Sequence, residues 1–93
     1  MIFRSRKLLD LARDQACVMC GRNDGSTVAA HRNHGKGMAM KAPDYAVAWL
    51  CHGCHAELDQ GKDMTRDERR AFWLEAHART VAQWFEQGKV TIR

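Results

Sequence analysis

Apolar and polar positions change rhythm along this chain, and each rhythm predicts an element. In the last third, Phe72, Trp73, Leu74, Ala76, Val81, Trp84 and Phe85 gather on one broad face at about 100° per residue, and Glu75, Arg79 and Glu86 fall opposite. Thr65-Arg66-Asp67-Glu68 reads as a capping box and Gly88 as a stop. Together they predict a helix of about 23 residues, roughly 34 Å long. His77 falls within the apolar stripe and reads as packing. Near the N-terminus, Ser5 is the expected cap of a short basic helix over residues 5–15, with Leu8, Leu9, Leu11 and Ala12 as its apolar face. Thr27–His31 and Tyr45–Leu50 are short strand-compatible runs, separated by a glycine-punctuated basic loop and by Ala42-Pro43-Asp44, which should break regular structure. A further helix is expected from His55, and Lys89 to Arg93 as a short terminal strand. No repeat or linker divides residues 1–93, so the expectation is one α+β domain with an N-terminal helix and a long C-terminal helix.

Composition narrows the class. The chain has 93 residues, with 15 Lys plus Arg against 11 Asp plus Glu, a net charge of +4 and an isoelectric point near 9.1. Its 45% hydrophobic content is that of a globular domain. The longest apolar run, Ala46 to Cys51, is about a third of the ~20 residues a membrane helix requires, so no membrane partner is expected. Met1 to Lys7 lacks the apolar core of a secretory signal, which points to a cytoplasmic protein.

A chain this short often needs a staple, and four cysteines offer one. Cys17 and Cys20 form one Cys-x-x-Cys pair, Cys51 and Cys54 another, with 30 residues between the pairs. In a reducing compartment this pattern predicts a structural zinc held by two knuckles, with Gly21 and Gly53 supplying backbone freedom. The competing redox dithiol would need a βαβ context that the pattern lacks.

The remaining chemistry centres on histidines. His55 and Asp59, four residues apart on the expected helix, share a face and make a half-shell for a divalent ion such as Mg²⁺ or Mn²⁺. The plainer alternative is a solvated Asp59 and a His55 that serves as a spare zinc ligand. His31, at the end of the first strand, is expected to face that ion and take a proton from water during phosphodiester hydrolysis; the plainer reading is a buried, hydrogen-bonded strand histidine. His34 could contact phosphate, and His52 is expected to be exposed. No acidic residue lies between Asp24 and Asp44, while Arg32, Lys36 and Lys41 are basic and Gly35 and Gly37 allow close backbone approach to phosphate. Arg4, Arg6, Lys7 and Arg13 extend that footprint, and DNA is the expected partner. No recognition-helix signature or aromatic base-stacking platform is evident, so cleavage governed by backbone shape is expected.

The order Cys-x-x-Cys, Ala30-His31, His34-Gly35-Lys36-Gly37, Lys41-Ala42-Pro43-Asp44 and Leu50-Cys51-His52-Gly53-Cys54-His55-Ala56-Glu57-Leu58-Asp59 resembles the zinc-stabilised HNH nucleases of the ββα-metal (His-Me finger) superfamily. More narrowly, it is similar to small nucleases carried by bacteriophages and prophages. The resemblance covers roughly residues 5–90. It implies a small ββα-metal finger on a Cys₄ zinc knuckle pair, with His31 as general base, His55 and Asp59 as ligands of a catalytic Mg²⁺ or Mn²⁺, and Asp44 holding the loop and orienting the base. Cys17, Cys20, Cys51 and Cys54 match the structural zinc ligands. Three positions depart from the pattern: Ala30 replaces a frequent Asp or His ligand, Asp59 a frequent His, and Asp44 an Asn. Two protein ligands then remain for the catalytic ion. The implied activity is that of a metal-dependent DNA endonuclease, in phage or prophage DNA processing or recombination in a bacterial cytoplasm. Two other functions stay open. One is a non-catalytic zinc-binding DNA module. The other is an interaction domain that uses an exposed Trp73 or Trp84 face for a partner or a homodimer.

Overall fold

The computed structural model describes residues 3–32, 42–60 and 63–90. Its elements run α1 (Arg6–Asp10), β1 (Val28–His31), β2 (Val47–Leu50), α2 (His52–Gln60) and α3 (Arg66–Glu86). His34, Lys36 and Lys41 lie outside the described residues, as do Gly35 and Gly37. So does most of the expected terminal strand.

The helix ends follow the chemistry of their caps. Ser5 accepts the Leu8 N–H on its Oγ and starts α1, but α1 stops at Asp10, well short of residue 15. Leu11, Ala12, Arg13 and Gln15 donate to carbonyls three residues back, and Asp14 takes φ of 65°. This tightened turn rolls Ala12 into the core where a continuing helix would carry the chain away. At α3 the capping box forms with both of its bonds: Glu68 N–H to Thr65 Oγ1 at 3.1 Å and Thr65 N–H to Glu68 Oε1 at 2.8 Å. The far end closes as a Schellman motif. Gly88 (φ 70°) donates to Phe85 O, while Lys89 and Val90 both donate to Trp84 O. Lys89 and Val90 therefore fold back on the helix end and do not begin a strand.

β1 and β2 pair antiparallel, with Val28 opposite Leu50 and His31 opposite Val47. Alternation along the strands sends side chains to two faces. Ala30, Ala48 and Leu50 pack with Leu58 of α2 and with Trp73 and Ala76 of α3. Val47 and Trp49 pack on the other face with Ala12, Trp84 and the α1 leucines. All four β2 residues are buried, so this strand is the centre of the molecule.

Burying β2 leaves its outer edge in need of partners, and side chains supply them. Thr80 Oγ1 accepts the Trp49 N–H at 2.9 Å and donates to Ala76 O at 2.8 Å. His77 Nδ1–H donates to Val47 O at 2.7 Å with its ring stacked on Trp73. Val18 N–H donates to Trp49 O. Replacing Thr80 by Val keeps the shape but orphans the Trp49 N–H. The expected cost is about 1–3 kcal/mol, read as a lowered urea midpoint with unchanged m.

The buried side of α3 is Trp73, Ala76, Thr80 and Trp84. Leu74 and Phe85, expected on the same face, lie at its margin and are exposed. Trp73 and Trp84 are themselves buried, so neither forms the exposed interaction face considered above.

Candidate functional site

Cys17 and Cys20 sit in a tight loop between α1 and β1. Cys17 N–H donates to Arg22 O, Gly21 N–H donates to Cys17 O, and Gly21 turns the chain at φ 80°. The second pair is built differently. Cys51 stands just before α2; its carbonyl accepts the His55 N–H at 2.9 Å and its Sγ receives the Cys54 N–H at 3.5 Å. Cys51 thus works as the helix cap, which is why α2 starts at His52 and not at His55. Gly53 is an ordinary helical residue, and a Cβ there would meet open space.

The four Sγ atoms lie within 4.8 Å of one another, and Cys20 Sγ is 3.5 Å from Cys51 Sγ. A disulfide would bring two sulfurs to about 2.05 Å, and all four cysteines are free. Tetrahedral zinc with bonds of about 2.3 Å separates its sulfurs by about 3.8 Å, so the cluster fits a metal such as zinc. Its electrostatics fit as well. Burial opposes ionisation of Cys17, but N–H groups of Cys20, Cys51 and Met19 outweigh it and lower this thiol to about 6. Burial and the neighbouring thiols push Cys54 well above the ordinary thiol range. At Cys20 the Arg22 N–H favours the thiolate, yet hydrogen bonding with Cys51 and desolvation raise it. Four thiolates this close need a cation to offset their charge.

Asp44 organises a second group. Its carboxylate is buried and accepts three hydrogen bonds: Oδ1 meets His31 Nε2 at 3.0 Å and Arg4 Nη1 at 3.0 Å, and Oδ2 accepts the Ser5 N–H at 2.6 Å. Arg4 also donates to Ala42 O, and Asp44 N–H donates to Phe3 O. The hydrogen bond to His31, then that from Ser5, then Arg4 hold the Asp44 carboxyl down at about 2 despite burial. An ionised Asp44 can only accept, so His31 Nε2 carries the proton and Nδ1 of a neutral ring is left as the basic nitrogen.

That depressed carboxyl has a consequence for stability. A group whose folded value lies below its ordinary 3.8 contributes fully above about pH 4 and loses its contribution as the pH falls toward 2. Between pH 5 and pH 2 the stability gap between the wild type and Asp44→Asn is expected to shrink by on the order of 2 kcal/mol, measured from urea midpoints.

His55 and Asp59 meet on α2, with Nε2 3.0 Å from Oδ2 and both side chains about one-third exposed. Two adjacent octahedral positions at about 2.1 Å from an ion also stand about 3.0 Å apart, so the pair has the spacing of two ligands of one divalent ion. Leu58 points the other way, into the core. His52 is exposed, and its N–H donates to Ser26 Oγ. Arg32 is half-buried and extends the hairpin through its N–H to Ala46 O at 3.0 Å.

The two histidine–carboxylate pairs are delivered by different faces of the hairpin. Ala30 shares the cluster of Leu58 on α2, whereas His31, one residue on and opposite Val47, belongs by alternation to the α1 face. The strand thus presents position 30 to α2, and His31 reaches solvent at the end of the sheet, with its side chain one-third exposed. Sequence places Arg4 in the phosphate footprint and Ser5 at a helix cap; their bonds to Asp44, across about 40 residues, leave no local pattern.

Known proteins sharpen the picture. A solved structure described as a putative bacteriophage protein from Escherichia coli str. K-12 substr. MG1655 is similar to this chain, with a TM-score of 0.65, 26% identity, and coverage of 87% of this chain and 99% of that one. No curated protein matches. The family model described as "Putative nuclease YbcO" matches residues 6–89, so this chain belongs to the YbcO family of putative nucleases.

Proposed function

We propose that this protein is a metal-dependent endonuclease that hydrolyses DNA phosphodiester bonds on an HNH-type ββα-metal plan, in phage or prophage DNA processing in a bacterial cytoplasm. The observation that carries the reading is the His31–Asp44 pair, 3.0 Å apart and part-buried, in a chain of a nuclease family. Asp44 holds the ring, and His31 Nδ1 takes the proton from the attacking water. The buried carboxylate stabilises the imidazolium that forms, and the bonds from His31, Ser5 and Arg4 keep that carboxylate ionised. His55 Nε2 and an Asp59 oxygen would hold Mg²⁺ or Mn²⁺, which supplies positive charge for the phosphorane and the leaving oxygen. The scissile phosphate would lie across the open end of the sheet between the two pairs. Arg32, with His34, Lys36 and Lys41 of the same loop, would contact flanking phosphates. Zinc on Cys17, Cys20, Cys51 and Cys54 would fix the start of α2 against the loop before β1.

The ion assignment is tested by titrating Mn²⁺ into a plasmid-nicking assay. Asp59→Ala is expected to raise the Mn²⁺ concentration for half-maximal activity by about 10- to 100-fold; an unchanged titration removes Asp59 from the shell. A second reading, a zinc-bound DNA module without catalysis, is favoured by Ala30 occupying the strand position that faces α2. It predicts steeply salt-dependent DNA binding with no cleavage under any divalent ion.

A further inference from the structure

Two aromatic rings stand exposed beside the residues that hold His31. Phe3 and Tyr45 are 50% and 54% exposed, with ring centroids 5.7 Å apart and planes tilted by 48°. Their backbone is fixed. The Phe3 carbonyl accepts the Asp44 N–H at 3.0 Å, Tyr45 directly follows Asp44, and Phe3 directly precedes Arg4. Each ring is thus one residue away from a group that binds the Asp44 carboxylate or carries it. The rings touch each other yet leave half of their surface to water, and the segment around them is basic, with Arg4, Arg6 and Lys7 and no acid before Asp10.

We propose that Phe3 and Tyr45 form a stacking platform for an unpaired nucleobase, which makes single-stranded DNA the preferred ligand of this site. An aromatic face accepts any base, because every base has a π-surface, and adjacent cations attract the backbone that carries it. A base in a duplex is already stacked on both sides and offers no free face. The basic surroundings of the pair select a polyanion, and its continuity with the His31–Asp44 pair selects the substrate of that site. The platform rests on the nuclease reading for its role but not for its binding, so the two can fail separately. Such a platform is not evident in the sequence. Phe3 and Tyr45 are far apart in the chain, and the Phe3–Asp44 backbone bond, with the bonds from Arg4 and Ser5 to Asp44, brings them together.

The test is binding of a fluorescein-labelled oligothymidylate, and of a duplex of equal length, to zinc-loaded protein without added Mg²⁺ or Mn²⁺. Tyr45→Leu and Phe3→Leu are each expected to weaken single-strand binding by about 5- to 150-fold, with duplex binding changed less than about twofold. Tyr45→Phe should bind like the wild type. An oligomer with abasic sites should lose affinity for the wild type but not for Tyr45→Leu. Equal zinc content and melting temperature establish that the variants are folded. Leucine variants that bind the single strand within about twofold of the wild type, or an abasic oligomer bound as tightly as the ordinary one, overturn the platform. Weakened binding in a protein that cleaves nothing retains the platform and removes the nuclease reading.

Discussion

Stripping the metal from the four-cysteine cluster is expected to unfold the chain. Structural zinc contributes on the order of 10–16 kcal/mol of folding free energy, while a whole domain is stable by about 5–15 kcal/mol. Among the described residues, four sulfurs within 4.8 Å are the principal join between the loop carrying Cys17 and Cys20 and the start of α2. The described core is built around one two-stranded sheet, and β2 meets that loop through a single Val18–Trp49 backbone bond. Without the metal, crowded thiolates would repel or take up protons, and the Cys51 cap of α2 would lose its anchor. A strong chelator should release one zinc per chain and abolish the cooperative thermal transition seen by circular dichroism. Cys51→Ser should behave in the same way without chelator. A melting temperature that stays within about 3 °C after complete metal removal would show that the hydrophobic clusters suffice on their own.

The second large effect is on chemistry. His31→Ala is expected to lower the rate of phosphodiester cleavage by about 10²- to 10⁴-fold, the usual contribution of a positioned general base. The loss should fall on the maximal rate and leave DNA affinity nearly unchanged, because the imidazole acts on water. His31 is one-third exposed at the end of β1, and its backbone bonds within the hairpin do not depend on its ring. Loss of the His31–Asp44 bond should lower the melting temperature somewhat, so rates are compared well below both transitions, where equal zinc content and circular dichroism show that the variant is folded. A variant that cleaves at the wild-type rate would identify another group as the base.

The parts of this molecule that are legible in its sequence are those set by local rules. Thr65 and Glu68 cap α3 through bonds three residues apart, and Gly88 ends it in a left-handed turn. The Cys-x-x-Cys spacing predicts two pairs of sulfurs, and the four come together. Parts set by tertiary contact are less visible. Leu11 and Ala12 look helical, but packing against Trp49 and Trp84 favours a tighter turn after Asp10. Cys51 reads as a knuckle residue, and nothing local signals that it caps a helix from His52. The role of Asp44 in orienting His31 is implied by the resemblance alone, and the two are hydrogen-bonded; the bonds from Arg4 and Ser5 to Asp44 are set by the folded chain. Strand alternation gives the direction of Leu58 on α2 to Ala30, while His31 sits at the end of the sheet.

Cleavage itself is the most direct measurement: zinc-loaded protein is incubated with supercoiled plasmid, with and without Mn²⁺, beside His31→Ala and Asp59→Ala. Nicked circles formed only when Mn²⁺ is added, rapidly by the wild type and far more slowly by both variants, are the expected result. An intact plasmid under every divalent ion tried, or nicking by His31→Ala as fast as by the wild type, would contradict a nuclease that uses His31 as its base.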